Sequence, residues 1–236
     1  LTVFAFTDML RVLSREGLSM TRIFAALLFL VAATAGVAAQ ERRQDRAGEF
    51  DFYVLSLSWS PSFCSTQKDG RNEQQCGTDK SFRFIVHGLW PQYEKGYPDF
   101  CRTSEPDRVP RALGEPLFDI MPSMGLIGHE WKKHGSCSGL SQREYLAKTR
   151  QAYDSIRIPA EFDEAKGELS LSPDQVEEKF VAANPGMTAK GISTSCRGRQ
   201  FQEVRICLSK DLKFRGCEEV NQDTCEASRV TLPPAR

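Results

Sequence analysis

The chain has 236 residues, with 31 Lys and Arg against 31 Asp and Glu, 40% hydrophobic residues, eight cysteines and only three histidines. That length and apolar content are enough for one domain with a real core. The balanced charge excludes a global basic field of the kind that gathers nucleic acid, so an anionic substrate would have to be drawn by local charges.

Residues 1–19 carry no pattern of their own and read as an upstream extension of the frame. From Met20 the pattern changes: Arg22 gives a short positive region, Ile23 to Ala33 an apolar run, and Val37-Ala38-Ala39 a small-residue cleavage signal. This predicts a secretory signal peptide over residues 20–39, too short for a comfortable membrane span. The expected location is periplasmic or secreted, with no membrane association once the signal is removed. Residues 40–236 are expected to form a single domain. Cys64, Cys76, Cys101, Cys137, Cys196, Cys207, Cys217 and Cys225 all follow the signal, which implies a disulfide framework. No pair is spaced Cys-x-x-Cys, which weighs against metal knuckles and redox motifs. Spacing alone does not choose among the many connectivities.

From Asp51 to Trp59 the residues alternate. Tyr53, Leu55, Leu57 and Trp59 point one way, and Phe52, Val54, Ser56 and Ser58 the other. The pattern predicts a strand whose second face turns polar at its end, where Ser56 and Ser58 could face a cleft. Pro61 ends it. Cys64 to Lys80 reads as a polar loop closed by Cys64 and Cys76. Phe82 to Val86 reads as a second strand with His87 at its C-terminal end, followed by Gly88, where the chain can turn tightly. Trp90 and Tyr93 follow. They either fill a core or offer a stacking platform to a base, since an aromatic face accepts any base. Trp59 and Trp131 read as core. Tyr97 to Met124, rich in Pro and charge, reads as a long loop with one short helix near 116–121.

Gly128 to Cys137 concentrates chemistry. On a helix turning about 100° per residue, His129 and Lys133 share one stripe, and Glu130 and His134 the neighbouring one. Glu130 and Lys133 are also within pairing distance. Gly135 then stops the helix, and Cys137 can anchor its end. A zinc reading of His129-Glu130 fails on spacing. The second histidine comes at i+5 rather than i+4, and Lys133 stands where a ligand should. Ser141 with Glu144 is a capping box opening a helix through about Ile156, with Tyr145, Ala152, Tyr153 and Ile156 on its apolar side. Ser172-Pro173-Asp174-Gln175 starts another, buried through Val176, Phe180 and Val181 and stopping near Asn184-Pro185-Gly186. Strand-like runs follow Ile192, notably Gln200 to Leu208, where Val204, Ile206 and Leu208 alternate. Strands and helices interleave without a βαβ period, which predicts an α+β fold with a largely antiparallel sheet.

Free imidazole titrates at about 6.5, so two histidines can stand one neutral and one protonated. Such a pair can take one proton and give another in a single step, each contribution worth about 10²–10⁴ in rate. Lys133 and a third imidazole can stabilise anionic charge in the transition state. This set suits displacement at a phosphodiester without metal or other cofactor, since RNA brings its own 2′-hydroxyl nucleophile and DNA does not. Gly-x-Ser-x-Gly is absent, so acyl-enzyme chemistry has little support.

Two blocks, His87-Gly88-Leu89-Trp90-Pro91 and His129-Glu130-Trp131-Lys132-Lys133-His134-Gly135-Ser136-Cys137, resemble the two signatures of the ribonuclease T2 family, with Ser for Thr at 136. Weaker resemblance runs from Ser58-Trp59 to the last cysteines. The resemblance implies an α+β ribonuclease acting on RNA through a 2′,3′-cyclic phosphate, and a monomer is expected. It implies His134 as general base, His87 as general acid and His129 as phosphate ligand. It implies that Glu130 and Lys133 steady the pentavalent phosphorus, with Trp90 in the first base site; Tyr93 and Ser58 stand beside Trp90 as candidate substrate-binding residues. The family often has Gln before the tryptophan that ends the first strand. This chain has Ser58 there, so the second base site carries no implied preference. The implied disulfides are Cys64–Cys76, Cys101–Cys137, Cys196–Cys225 and Cys207–Cys217.

Overall fold

A computed structural model describes residues 45–67 and 72–235, so the readings of residues 1–39 as extension and signal lie outside the described residues. Six strands form one sheet: β1 (Phe52–Trp59), β2 (Phe84–Gln92), β3 (Leu169–Leu171), β4 (Ile192–Arg197), β5 (Gln200–Leu208) and β6 (Val230–Leu232). Their order is β2-β1-β5-β6-β3, with β4 also paired to β5. Every pairing is antiparallel except the short contact of β5 with β6. Eight α-helices are described: α1 (Ser60–Ser65), α2 (Glu73–Cys76), α3 (Arg111–Gly114), α4 (Met124–Lys133), α5 (Gln142–Asp154), α6 (Ala160–Asp163), α7 (Pro173–Ala183) and α8 (Glu218–Gln222). The architecture is α+β with a mostly antiparallel sheet, as the sequence predicts. Among the described residues no helix is long and apolar enough to cross a membrane.

Strand β1 lies between β2 and β5, and its alternation divides the molecule. Tyr53, Leu55, Leu57 and Trp59 share a face with their β5 partners Leu208, Ile206 and Val204. Their core takes in Ile127 and Trp131 of α4, Tyr145, Leu146 and Ala152 of α5, and Val176 and Phe180 of α7. Phe84 sits among Trp59, Phe162, Phe180 and Phe201 at ring-centroid distances of 5.0 to 6.0 Å. Each such fully buried side chain stabilises the fold by roughly 1.5–3 kcal/mol.

The opposite face differs from the expectation. Phe52 and Val54 form a small second cluster with Cys207 and Cys217, against which Trp90 and Val220 pack. Ser56 is fully buried and Ser58 half-buried rather than open to a cleft. Their cross-strand partners on β5 are Arg205 and Glu203, so this face carries charge in the sheet itself.

Strand β2 is also longer than predicted, running through His87 to Gln92. Its register against β1 shifts: Ser56 faces Gly88, but Leu57 faces Val86. His87 is the extra residue of a β-bulge in mid-strand, not the end of a strand. A bulge re-aims a side chain without ending the sheet.

The predicted loop from Cys64 to Lys80 contains α2, and Pro61 opens α1 at its first turn. The short helix expected at 116–121 lies earlier, as α3 and a 3₁₀ turn at Glu115–Leu117. Both predicted capping boxes are present, Ser141 with Glu144 and Ser172 with Gln175. The four disulfides are Cys64–Cys76, Cys101–Cys137, Cys196–Cys225 and Cys207–Cys217, the pairing implied by resemblance.

Candidate active site

Helix α4 presents its two predicted stripes to one cleft of about 390 Å³, with His129, Glu130, Lys133 and His134 in its wall beside His87. The Glu130 and His134 stripe is the inner one, at 1% and 5% exposure, whereas His129 is exposed and Lys133 half-buried at the rim. The helix begins on Ser123, whose hydroxyl accepts from Leu126 N–H at 3.1 Å. It ends at His134, where a 3₁₀ turn, Gly135–Ser138, takes over and closes on Gly139 at φ +74°. Gly135 therefore does not itself supply the left-handed stop. A side chain there would lie 2.6 Å from Trp131 and 2.7 Å from Tyr145, so its glycine serves close packing. The Cys101–Cys137 bridge fastens the end of this turn to the Tyr97–Met124 segment.

Gly88 is required for a similar reason. It makes no tight turn. A Cβ at this position would stand 2.0 Å from Glu130 Oε2 and 2.2 Å from Trp90 Nε1. Those two atoms are hydrogen-bonded, Trp90 Nε1–H donating to Glu130 Oε2 at 2.7 Å. The Trp90 ring in turn stacks on His134, with centroids 5.2 Å apart and 28° between planes. Gly88, Trp90, Glu130 and His134 thus form one packed unit across β2 and α4.

His87 stands between two carboxylates. Its Nδ1–H donates to Glu203 Oε2 at 2.9 Å, and its Nε2 lies 3.7 Å from Glu130 Oε1. Burial alone would push its pKa down. The hydrogen bond and charge of Glu203, with the charge of Glu130, outweigh that and hold it above the ordinary value, with Arg205 opposing. Glu203 shows the reverse. Burial would raise its pKa, but His87 and Arg205 draw it down to about 2. Burial raises the pKa of Glu130, against the pull of His87, the Trp90 N–H and Lys133. His134 is pushed down to about 3, first by burial and then by the charges of Lys133, His87 and His129. One cleft therefore holds an imidazole whose surroundings disfavour the proton and another whose surroundings favour it. Such a split of pKa values is how a site separates a base from an acid.

The other residues singled out in the sequence fall differently. Trp90 lines the cleft. Tyr93 is buried in the main core, and its hydroxyl donates to Asp45 at 3.1 Å. Neither Tyr93 nor Ser58 lines the cleft. Ser58 is instead the β1 partner of Glu203. The sequence reading missed Glu203, Arg205 and Tyr97. The first two had a signal: charges alternating with apolar Val204 and Ile206 along a strand must find partners if that face is buried. Tyr97 had none. It is 51% exposed, its centroid 5.7 Å from Lys133 Nζ and 6.2 Å from that of His134.

The chain matches the profile of the Ribonuclease T2 family over residues 50–217. It is 35% identical over 203 residues to a ribonuclease of Aeromonas hydrophila, covering 81% of this chain and 86% of that protein. It is 28% identical to Ribonuclease I of Escherichia coli K12, covering 79% and 84%. Among solved structures it resembles an RNase-related protein from Calystegia sepium with a TM-score of 0.64 at 22% identity, over 80% of this chain and 99% of that one.

Proposed function

The chain belongs to the ribonuclease T2 family and is a ribonuclease; from that premise we propose that it cleaves single-stranded RNA internally, without a metal ion, through a 2′,3′-cyclic phosphate. His134 takes the proton of the 2′-hydroxyl, and the 2′-oxygen attacks the adjacent phosphorus. As the bond from phosphorus to the 5′-oxygen breaks, His87 gives that oxygen its proton. Water then opens the cyclic phosphate with the two roles reversed. Lys133 and His129, at the rim, take the phosphate oxygens, and buried Glu130 steadies the charge between them. Trp90 and the half-open ring of Tyr97 form the aromatic wall against which a base rests.

The observation that carries this reading is that one cleft holds two imidazoles in opposite surroundings, His134 buried against the Trp90 ring and His87 held between the carboxylates of Glu203 and Glu130. All five polar groups come from one chain, so a monomer suffices. The four disulfides and the similarity to Ribonuclease I fit an oxidising, extracytoplasmic compartment, periplasmic or secreted.

The test is a gel assay on RNA and DNA with and without chelator, using wild type, His87→Ala and His134→Ala. RNA should be cut in chelator, DNA should remain intact, and both variants should be inactive. Cleavage by either variant at the wild-type rate would overturn the assignment.

A further inference from the structure

We propose that Glu203 is a positioning residue for His87, holding the bulged ring by its Nδ1–H with Nε2 toward the cleft, where the proton donor must stand. The inference rests on the acid role given to His87 above.

The geometry is a chain of contacts that runs from the surface to the reacting side chain. Asp223, its side chain 77% exposed, accepts from Arg205 Nη1 at 2.7 Å. Arg205 Nε donates to Glu203 Oε1 at 2.9 Å, and Glu203 Oε2 takes His87 Nδ1–H at 2.9 Å. The Glu203 side chain is only 8% exposed, so its charge is committed to these two partners. His87 needs such a hold. A bulge frees its ring from the register of β1, and the side chain is 40% exposed. Without a partner on Nδ1, neither tautomer nor ring angle would be fixed, and Nε2 would not be reserved for the cleft.

A buried ion pair can also be purely structural, and the charges around the ring separate the two readings. Facing His87 are Glu203 and Arg205 from β5 and Glu130 from α4; Lys133 of α4 and His134 just after it line the same cleft, and Trp90 of β2 lies at 5.2 Å, edge to face. The two carboxylates favour the charged ring, and Arg205 tempers them. An acid used near neutral pH has to keep its proton and still be able to release it. Glu203 shifts that balance toward holding the proton.

The test is the pH profile of kcat/KM on a single-stranded RNA oligonucleotide for wild type, Glu203→Gln, Glu203→Asp and His87→Ala. Gln can still accept from Nδ1–H but lacks the charge. Losing a carboxylate lowers the pKa of His87, so the alkaline limb of Glu203→Gln should move down by about one to three pH units. Its kcat should fall at neutral pH with KM little changed, and Glu203→Asp should recover part of the shift. Labelled-histidine NMR of the wild type needs no variant and should show a slowly exchanging Nδ1 proton on His87. A wild-type alkaline limb in Glu203→Gln, or a His87 Nδ1 proton that exchanges freely, overturns the inference. If His87→Ala itself keeps activity, the acid assignment fails instead, and the two failures are distinct.

Discussion

Replacing Gly88 by Ala tests how tightly the site is built. The new Cβ would lie 2.0 Å from Glu130 Oε2, 2.2 Å from Trp90 Nε1 and 2.8 Å from Trp90 Cδ1. It would intrude on both partners of one 2.7 Å hydrogen bond. Restoring even a tight 3.0 Å contact requires Glu130 to retreat by about 1 Å, and Glu130 is 1% exposed with little room to move. Loss of a charge-assisted hydrogen bond to a buried carboxylate costs about 1.5–3 kcal/mol. For a domain of this size that lowers Tm by roughly 3 to 12 °C. A displacement near 1 Å in a catalytic constellation costs about 10²-fold in rate. The assay pairs a thermal melt with kcat/KM on an RNA oligonucleotide. The control is Gly128→Ala, in mid-helix where an added Cβ meets nothing within 4 Å. The control should keep its activity and gain up to about 1 kcal/mol in stability. If Gly88→Ala melts and cleaves like wild type, the close approach of β2 to α4 is not what holds Glu130 and Trp90 in place.

Trp90→Phe keeps a ring to stack on His134 but deletes the donor to Glu130 Oε2. It should lose kcat more than KM, and wild-type kinetics would count against the packed unit. Removing the Cys101–Cys137 bridge as a double Ala variant should cost about 2–4 kcal/mol, read from urea midpoints, and should lower activity by loosening the turn after His134. Stability should fall in acid for two groups of the same sign. Glu203 titrates at about 2 in the fold against an ordinary 4.5. Its contribution, on the order of 3 kcal/mol, is present above pH 4.5 and lost as pH falls through about 2. His134, at about 3 against 6.5, likewise favours the folded state above pH 6.5, and that stability erodes as pH falls toward 3. A urea midpoint that is flat from pH 7 to pH 3 would contradict both the pairing of Glu203 with His87 and Arg205 and the burial of His134.

The helical half of the site is readable in the sequence because its groups are close along the chain. The i, i+4 spacing of His129 with Lys133 and of Glu130 with His134 gives both stripes, and the Ser141 and Ser172 caps mark the starts of α5 and α7. The strand half is less readable: the alternating charges of β5 signal that Glu203 and Arg205 need partners but not which ones. Whether His87 ends a strand or bulges from one depends on a one-residue offset against β1, and nothing local to 84–92 encodes it. Glu203 lies 116 positions from the ring it holds. Trp90 and Tyr93 look equivalent as a sequence. Trp90 comes to line the cleft and Tyr93 joins the core only once the sheet has formed. Ser56 and Ser58 fall on the predicted face, but Arg205 and Glu203 opposite them carry its chemistry.

The most direct test of the central claim is the identity of the phosphate released. Phosphorus NMR would follow a diribonucleotide and its 2′-deoxy analogue, each incubated with enzyme in chelator. The account predicts a transient 2′,3′-cyclic phosphate that converts to a 3′-phosphate, with no reaction of the deoxy analogue. A 5′-phosphate product, or cleavage of the analogue, would contradict it.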